Sequence, residues 1–150
     1  MKRGKYRKGI FAVVYSKTKK GIEYLILKRK LNWTGWEFIK GGREFMETKK
    51  NSVKREVVEE TGLKVLKIKD MKLKDSYKYR GKLKNRPGVI GQTFYLYAVE
   101  IVKGRVKIDK SEHSDYKWMN FEKALKKLTW KNQRKCLRVV NSFLLNGEKN

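Results

Sequence analysis

Residues 41–63, GGREFMETKKNSVKREVVEETGL, decide how this chain is read. Arg55-Glu56-Val57-Val58-Glu59-Glu60 lies in a stretch that suits a helix from about Thr48 to Thr61, with Thr48 as N-cap and Gly62 as C-terminal stop. At about 100° per residue, Glu56, Glu59 and Glu60 share an arc of roughly 100° on one helical face. Like charges so placed repel, by a few tenths of a kcal/mol per exposed i,i+4 pair. The rest of the chain is strongly basic, so carboxylates gathered in one place call for a counter-ion. A hard divalent cation that takes oxygen ligands suits them.

The wider spacing sharpens the reading. Gly41, five residues, Glu47, seven residues, Arg55-Glu56, aliphatic Val57, one residue, Glu59-Glu60, one residue, Gly62 and Leu63 make a single pattern. It resembles the box of the Nudix hydrolases at every fixed position. The plainer alternative is a surface helix with i,i+4 pairs such as Arg55 with Glu59. The resemblance implies an α+β fold, an α/β/α sandwich with a mixed β-sheet between helices, and metal-dependent hydrolysis of a pyrophosphate bond. It implies Mg²⁺, with Mn²⁺ as a substitute, held by Glu56, Glu59 and Glu60 and by backbone oxygen near Lys40-Gly41. Gly41 and Gly42 let the loop pass close to the cation with no side chain in the way. Arg55 is placed to hold Glu59 or Glu47 rather than substrate, and Glu47 either supports the helix or approaches the metals.

Composition bounds these expectations. The 150 residues fit one domain, and 39% hydrophobic residues argue against disorder despite 37% charged ones. Cys136 is the only cysteine, which excludes an internal disulfide and any multi-cysteine metal site. No apolar run reaches membrane-spanning length, and Ile10–Tyr15 is a strand rather than a signal peptide, so a cytoplasmic setting is expected. Forty Lys and Arg against fifteen Asp and Glu give +25, too few acids for balanced ion-pair networks. That field favours polyanions such as nucleotides, polyphosphates and RNA. Lysine as a solubilising surface residue accounts for the same numbers.

Hydrophobic alternation places strands at Gly9–Tyr15 and Ile22–Leu27 around a Lys17–Gly21 turn. Asn32–Lys40 reads as a loop with a short segment at Phe38-Ile39, and Val65–Leu73 as a half-buried strand. Tyr77–Gly91, with the only proline, reads as a mobile hairpin or loop. Gln92–Ile101 is the strongest strand, Tyr116–Met119 a short one, and Phe121–Leu125 and Trp130–Leu145 are helical.

Outside the box, related enzymes often take a further acid from the loop before a late short strand. Here that loop is Ser111-Glu112-His113-Ser114-Asp115, and Glu112 is the candidate ligand or general base beside Glu59. His113, the only histidine, polarises a phosphate or, more plainly, caps the loop. Trp36-Glu37-Phe38-Ile39-Lys40-Gly41 is similar to the W-x-F-P-K-G segment of dinucleoside polyphosphate hydrolases. Ile39 stands where proline is usual, and Met46 where glycine is. By that resemblance Lys40 faces phosphates and Trp36 is a substrate-binding candidate; as aromatics able to stack, Trp33, Tyr77, Tyr79 and Phe94 are candidates to touch a nucleobase. Gly91-Gln92 opening a strand resembles RNA 5′-pyrophosphohydrolases, which keeps an RNA 5′ end among the substrates. Nucleoside triphosphate sanitation, and a non-catalytic RNA-binding module that reuses the fold, complete the alternatives.

Overall fold

The apolar run near the start of the chain becomes the spine of a mixed sheet. In the computed structural model, which describes residues 4–42, 47–79 and 88–147, strand β1 spans Lys5–Thr18 and turns at Gly21 into β2, Gly21–Arg29. Its other neighbour, β6 (Val89–Ile101), runs parallel to it, while β5 (Val65–Lys78) lies antiparallel on the far side of β6 as an edge. Strand β7 (His113–Met119) pairs with β2.

The segment expected to be a loop from Asn32 to Lys40 is instead largely strand. Gly35–Glu37 forms β3 on β2, and Ile39–Gly42 forms β4 on β1. The reason is tertiary: β1 and β2 pair only near their shared turn, and the β3–β4 segment fills the gap where they part. Val65–Leu73 extends to Lys78, so Tyr77 and Lys78 belong to β5 and not to a loop. Residues 80–87 of the expected hairpin, and Met46, lie outside the described residues.

Alternation along the central strands makes two cores. Phe11, Val13, Tyr15, Phe94, Leu96 and Ala98 face α2 (Phe121–Lys127) and α3 (Lys131–Ser142). Ile10, Ala12, Val14, Tyr97 and Val99 face α1 (Lys49–Thr61), through Val53 and Val57. A π-helical turn over Phe143–Gly147 replaces the expected end of α3. The result is the α/β/α sandwich that the sequence implied.

Helix α1 begins and ends where its chemistry says it should. The Thr48 hydroxyl accepts from the Asn51 amide at 3.1 Å. At the other end Gly62 takes φ 70°, where a Cβ is disfavoured, and its N–H reaches the Val58 carbonyl at 2.8 Å. Val53 and Val57 are 0% exposed, which fixes the roll of α1; Glu56 and Glu60 flank that buried stripe and are half-buried, whereas Glu59 points further out and is exposed.

Candidate active site

A cavity of about 720 Å³ opens where β1, β4, α1 and the segment before β7 meet. Glu56, Glu59, Glu60 and Glu112 all line it, with Gly41 and Lys40. The expected carboxylates are thus gathered on one surface, although Glu112 comes from far along the chain. Gly41 has a specific reason to be glycine: a Cβ there would collide with the Glu56 carboxylate.

Arg55 and Glu47 stand behind this surface and do not line the cavity. Arg55 Nε donates to Glu47 at 2.8 Å, Nη1 to Glu56 at 3.0 Å and to Glu59 at 3.3 Å, and Nη2 to the Gly42 carbonyl at 3.0 Å. Glu47 also accepts from the Ser52 hydroxyl at 2.7 Å. The guanidinium therefore ties α1 to the end of β4 and fixes the directions of two cavity acids. Glu47 is thus engaged with Ser52 and Arg55 of the helix. Hydrogen bonding to Glu47 raises the Arg55 pKa further above its ordinary value.

The acids on the cavity wall are not equally comfortable. Burial raises Glu60 to about 7, with Glu112, Glu56 and Asp109 pushing the same way and His113 opposing. Burial also raises Glu56, against the pull of Arg55. Glu60 Oε2 is buried with no hydrogen-bond partner among the described residues. Ligand atoms of Glu60, Glu112 and His113 come within 4.8 Å of one another. Two clustered carboxylates, one with an oxygen buried and unsatisfied, next to the glycine end of β4 fit a hard divalent cation. The residues present suit the group.

His113 is not a loop cap. It sits on β7 at 3% exposure, with Nε2 2.8 Å from Glu37 Oε2 and Nδ1 3.5 Å from Glu60 Oε2. Sequence reasoning also passed over Glu37, Arg29, Arg7, Trp130 and Asn132. Glu37 lies inside the Trp36-Glu37-Phe38-Ile39-Lys40-Gly41 segment, where nothing local sets it apart.

Two aromatic pairs line the cavity. Trp33 and Trp130 meet edge to face at 5.2 Å and 69°, and Tyr77 and Tyr79 at 5.9 Å and 72°. Two other candidates for substrate contact, Trp36 and Phe94, are not among the residues lining the cavity. The Trp36 ring packs on the α2–α3 core between the Lys117 and Lys127 ammoniums, 5.8 and 5.2 Å from the ring centre. Phe94 is core, 1% exposed and stacked at 3.9 Å on Phe11, which does line the cavity. The alternation that buries Leu96 and Ala98 carries Phe94 inward with them.

Comparison with known proteins completes the picture. The NUDIX domain model matches residues 5–140. The chain belongs to the Nudix family. A putative Nudix hydrolase from Listeria monocytogenes has TM-score 0.75 at 25% identity, over 93% of this chain and 95% of that one. The dihydroneopterin triphosphate pyrophosphohydrolase of E. coli has TM-score 0.74 at 23% identity, over 91% and 98%. An Ap4A hydrolase of C. elegans in a binary complex has TM-score 0.71 at 21% identity, over 93% and 98%. Comparison with the curated proteins gave no match. As a Nudix pyrophosphohydrolase the chain hydrolyses pyrophosphate bonds, chemistry for which the family uses divalent metal. No helix among the described residues is long and apolar enough to cross a membrane.

Proposed function

We propose that this Nudix hydrolase cleaves a phosphoanhydride in a nucleotide derivative, and that a dinucleoside polyphosphate is the substrate it fits best. The observation that carries this reading is one cavity with two aromatic pairs, Trp33/Trp130 and Tyr77/Tyr79, beside a single set of carboxylates. Two stacking platforms match two nucleobases joined by a phosphate chain. Arg7, Arg29 and Lys40, on the same surface, offer charge to that chain.

Glu56, Glu59, Glu60 and Glu112 would hold Mg²⁺ or, in its place, Mn²⁺, with the Gly41 backbone. Bound divalent cations neutralise phosphate oxygens and make water a better nucleophile near neutral pH. Lys40 orients the phosphates. Arg55 keeps Glu56 and Glu59 aimed at the cavity and does not touch substrate. Glu59, with 58% of its side chain exposed, and Glu112, with 35%, are the acids open enough to take a proton from attacking water.

A second reading has its own support. A formal charge of +25 favours long polyanions, so removal of pyrophosphate from a triphosphorylated RNA 5′ end is the runner-up. A nucleotide panel with Mg²⁺ tests both. AMP and ATP released from diadenosine tetraphosphate support the first reading, and preference for 5′-triphosphate RNA the second. Broad turnover of nucleoside triphosphates points to sanitation. No turnover at all, with tight, salt-sensitive RNA binding in the absence of metal, overturns catalysis in favour of a binding module.

A further inference from the structure

Glu37 is 0% exposed, yet burying an ion costs several kcal/mol unless it is well paired. Three nitrogen groups from three strands converge on it. His113 Nε2 of β7 is 2.8 Å away, Lys40 Nζ of β4 is 3.2 Å away, and Arg29 Nη1 of β2 is 3.4 Å away. If packing alone mattered, an apolar side chain of similar volume would serve at lower cost. What the three groups share is the direction they face. Arg29 and Lys40 line the cavity, whereas Glu37 does not. His113 presents its other ring nitrogen to Glu60 at 3.5 Å, and Arg29 stands 3.9 Å from Glu112.

Local backbone geometry supports the arrangement. Arg29 and His113 are cross-strand partners at a register shift between Lys28 and Arg29, and Lys30 N–H donates to the Glu112 carbonyl at 2.9 Å. A bulge re-aims side chains at the end of a ladder, here toward one carboxylate.

We propose that Glu37 is a positioning residue of this active centre. Its carboxylate holds Arg29 and Lys40 together as a cationic clamp on the substrate's phosphates, and fixes the His113 ring with Nε2–H on Glu37 and Nδ1 toward Glu60. The clamp rests on the functional reading given above; the ring orientation does not. An ionised carboxylate can only accept, so Nε2 must carry a proton.

With a single histidine in the chain, ¹⁵N-imidazole labelling yields one unambiguous pair of ring signals. In the unaltered protein Nε2 shows the shift and one-bond coupling of a protonated nitrogen. In Glu37→Gln that signal moves toward a tautomer mixture and kcat/KM on diadenosine tetraphosphate falls about tenfold. Glu37→Asp, which keeps the charge, recovers part of both. An unprotonated Nε2 in the unaltered protein overturns the proposal. So does Glu37→Gln with unchanged ring signals and unchanged kcat/KM. If Glu37→Gln does not fold, the spectrum of the unaltered protein decides. Failure of every nucleotide to turn over would defeat the functional reading while leaving the ring orientation to be judged by its own signal.

Discussion

Glu37 and Glu60 are both buried glutamates at the same site, and they behave in opposite ways. Burial pushes Glu60 up to about 7, its carboxylate neighbours Glu112, Glu56 and Asp109 add to the rise, and His113 opposes it. Burial pushes on Glu37 as well, but Lys40, His113 and Arg29 outweigh it and hold the group below the ordinary glutamate value. Depth in the protein sets the cost of charge, and the company a group keeps decides whether that cost is met. Glu60 has a debt that a cation could settle; the charge of Glu37 is met by its own protein neighbours, although its Oε1 is held by the Lys40 ion pair and by no hydrogen bond among the described residues.

The largest test of this contrast removes charge from the cavity acids. Glu59→Gln should lower kcat by about a thousandfold, equivalent to ~4 kcal/mol of barrier, with little change in the melting midpoint. Initial rates with saturating Mg²⁺ and a thermal melt check it; retained activity would remove Glu59 from the residues that carry catalysis. Glu37→Ala should act in the reverse sense on folding, lowering stability by ~3 kcal/mol because Arg29 and Lys40 lose a buried counter-charge. Urea unfolding measures that loss, and a cost near zero would mean water replaces the carboxylate.

Metal affinity distinguishes the two glutamates by pH. With Glu60 at about 7 in the metal-free protein, proton and cation compete for the same oxygens. Below that value the proton wins more often, so apparent Mg²⁺ affinity should rise as pH climbs from 6 through about 7 and level off above it. Calorimetric titration at several pH values checks the slope, and a flat profile would place the cation away from Glu60. The smallest effect concerns a buried acid with little cationic company. Burial takes the Cys136 thiol up to about 12, leaving at pH 8 a thiolate fraction of about 10⁻⁴. A thiol-reactive chromophore should therefore label the native protein far more slowly than the urea-unfolded chain.

These contrasts also explain what the sequence could disclose. Glu56, Glu59 and Glu60 were legible because helical periodicity turns nearness in sequence into nearness in space, and Thr48 and Gly62 mark the helix ends in chemical terms. Glu112 was legible only through resemblance. Glu37 was not legible, because its meaning depends on His113, 76 residues away, and on a register shift that no local pattern announces. Strands β3 and β4 escaped for a similar reason: three and four residues long, they owe their form to the gap between β1 and β2. Phe94 was open to a better reading, since the alternation that assigned its strand already placed it with Leu96 and Ala98.

Strand β5 has a consequence beyond catalysis. It closes one side of the described sheet with 14 residues, a long row of backbone donors and acceptors facing outward. Lys67, Lys69, Lys72, Lys74 and Lys78 stud that border, and Lys72 kinks it with φ 56°. Mutual repulsion and a bent rim discourage another copy from docking there as an extra strand. Part of the chain's large positive excess therefore acts as insulation against fibre-like stacking, a service to solubility that owes nothing to phosphate.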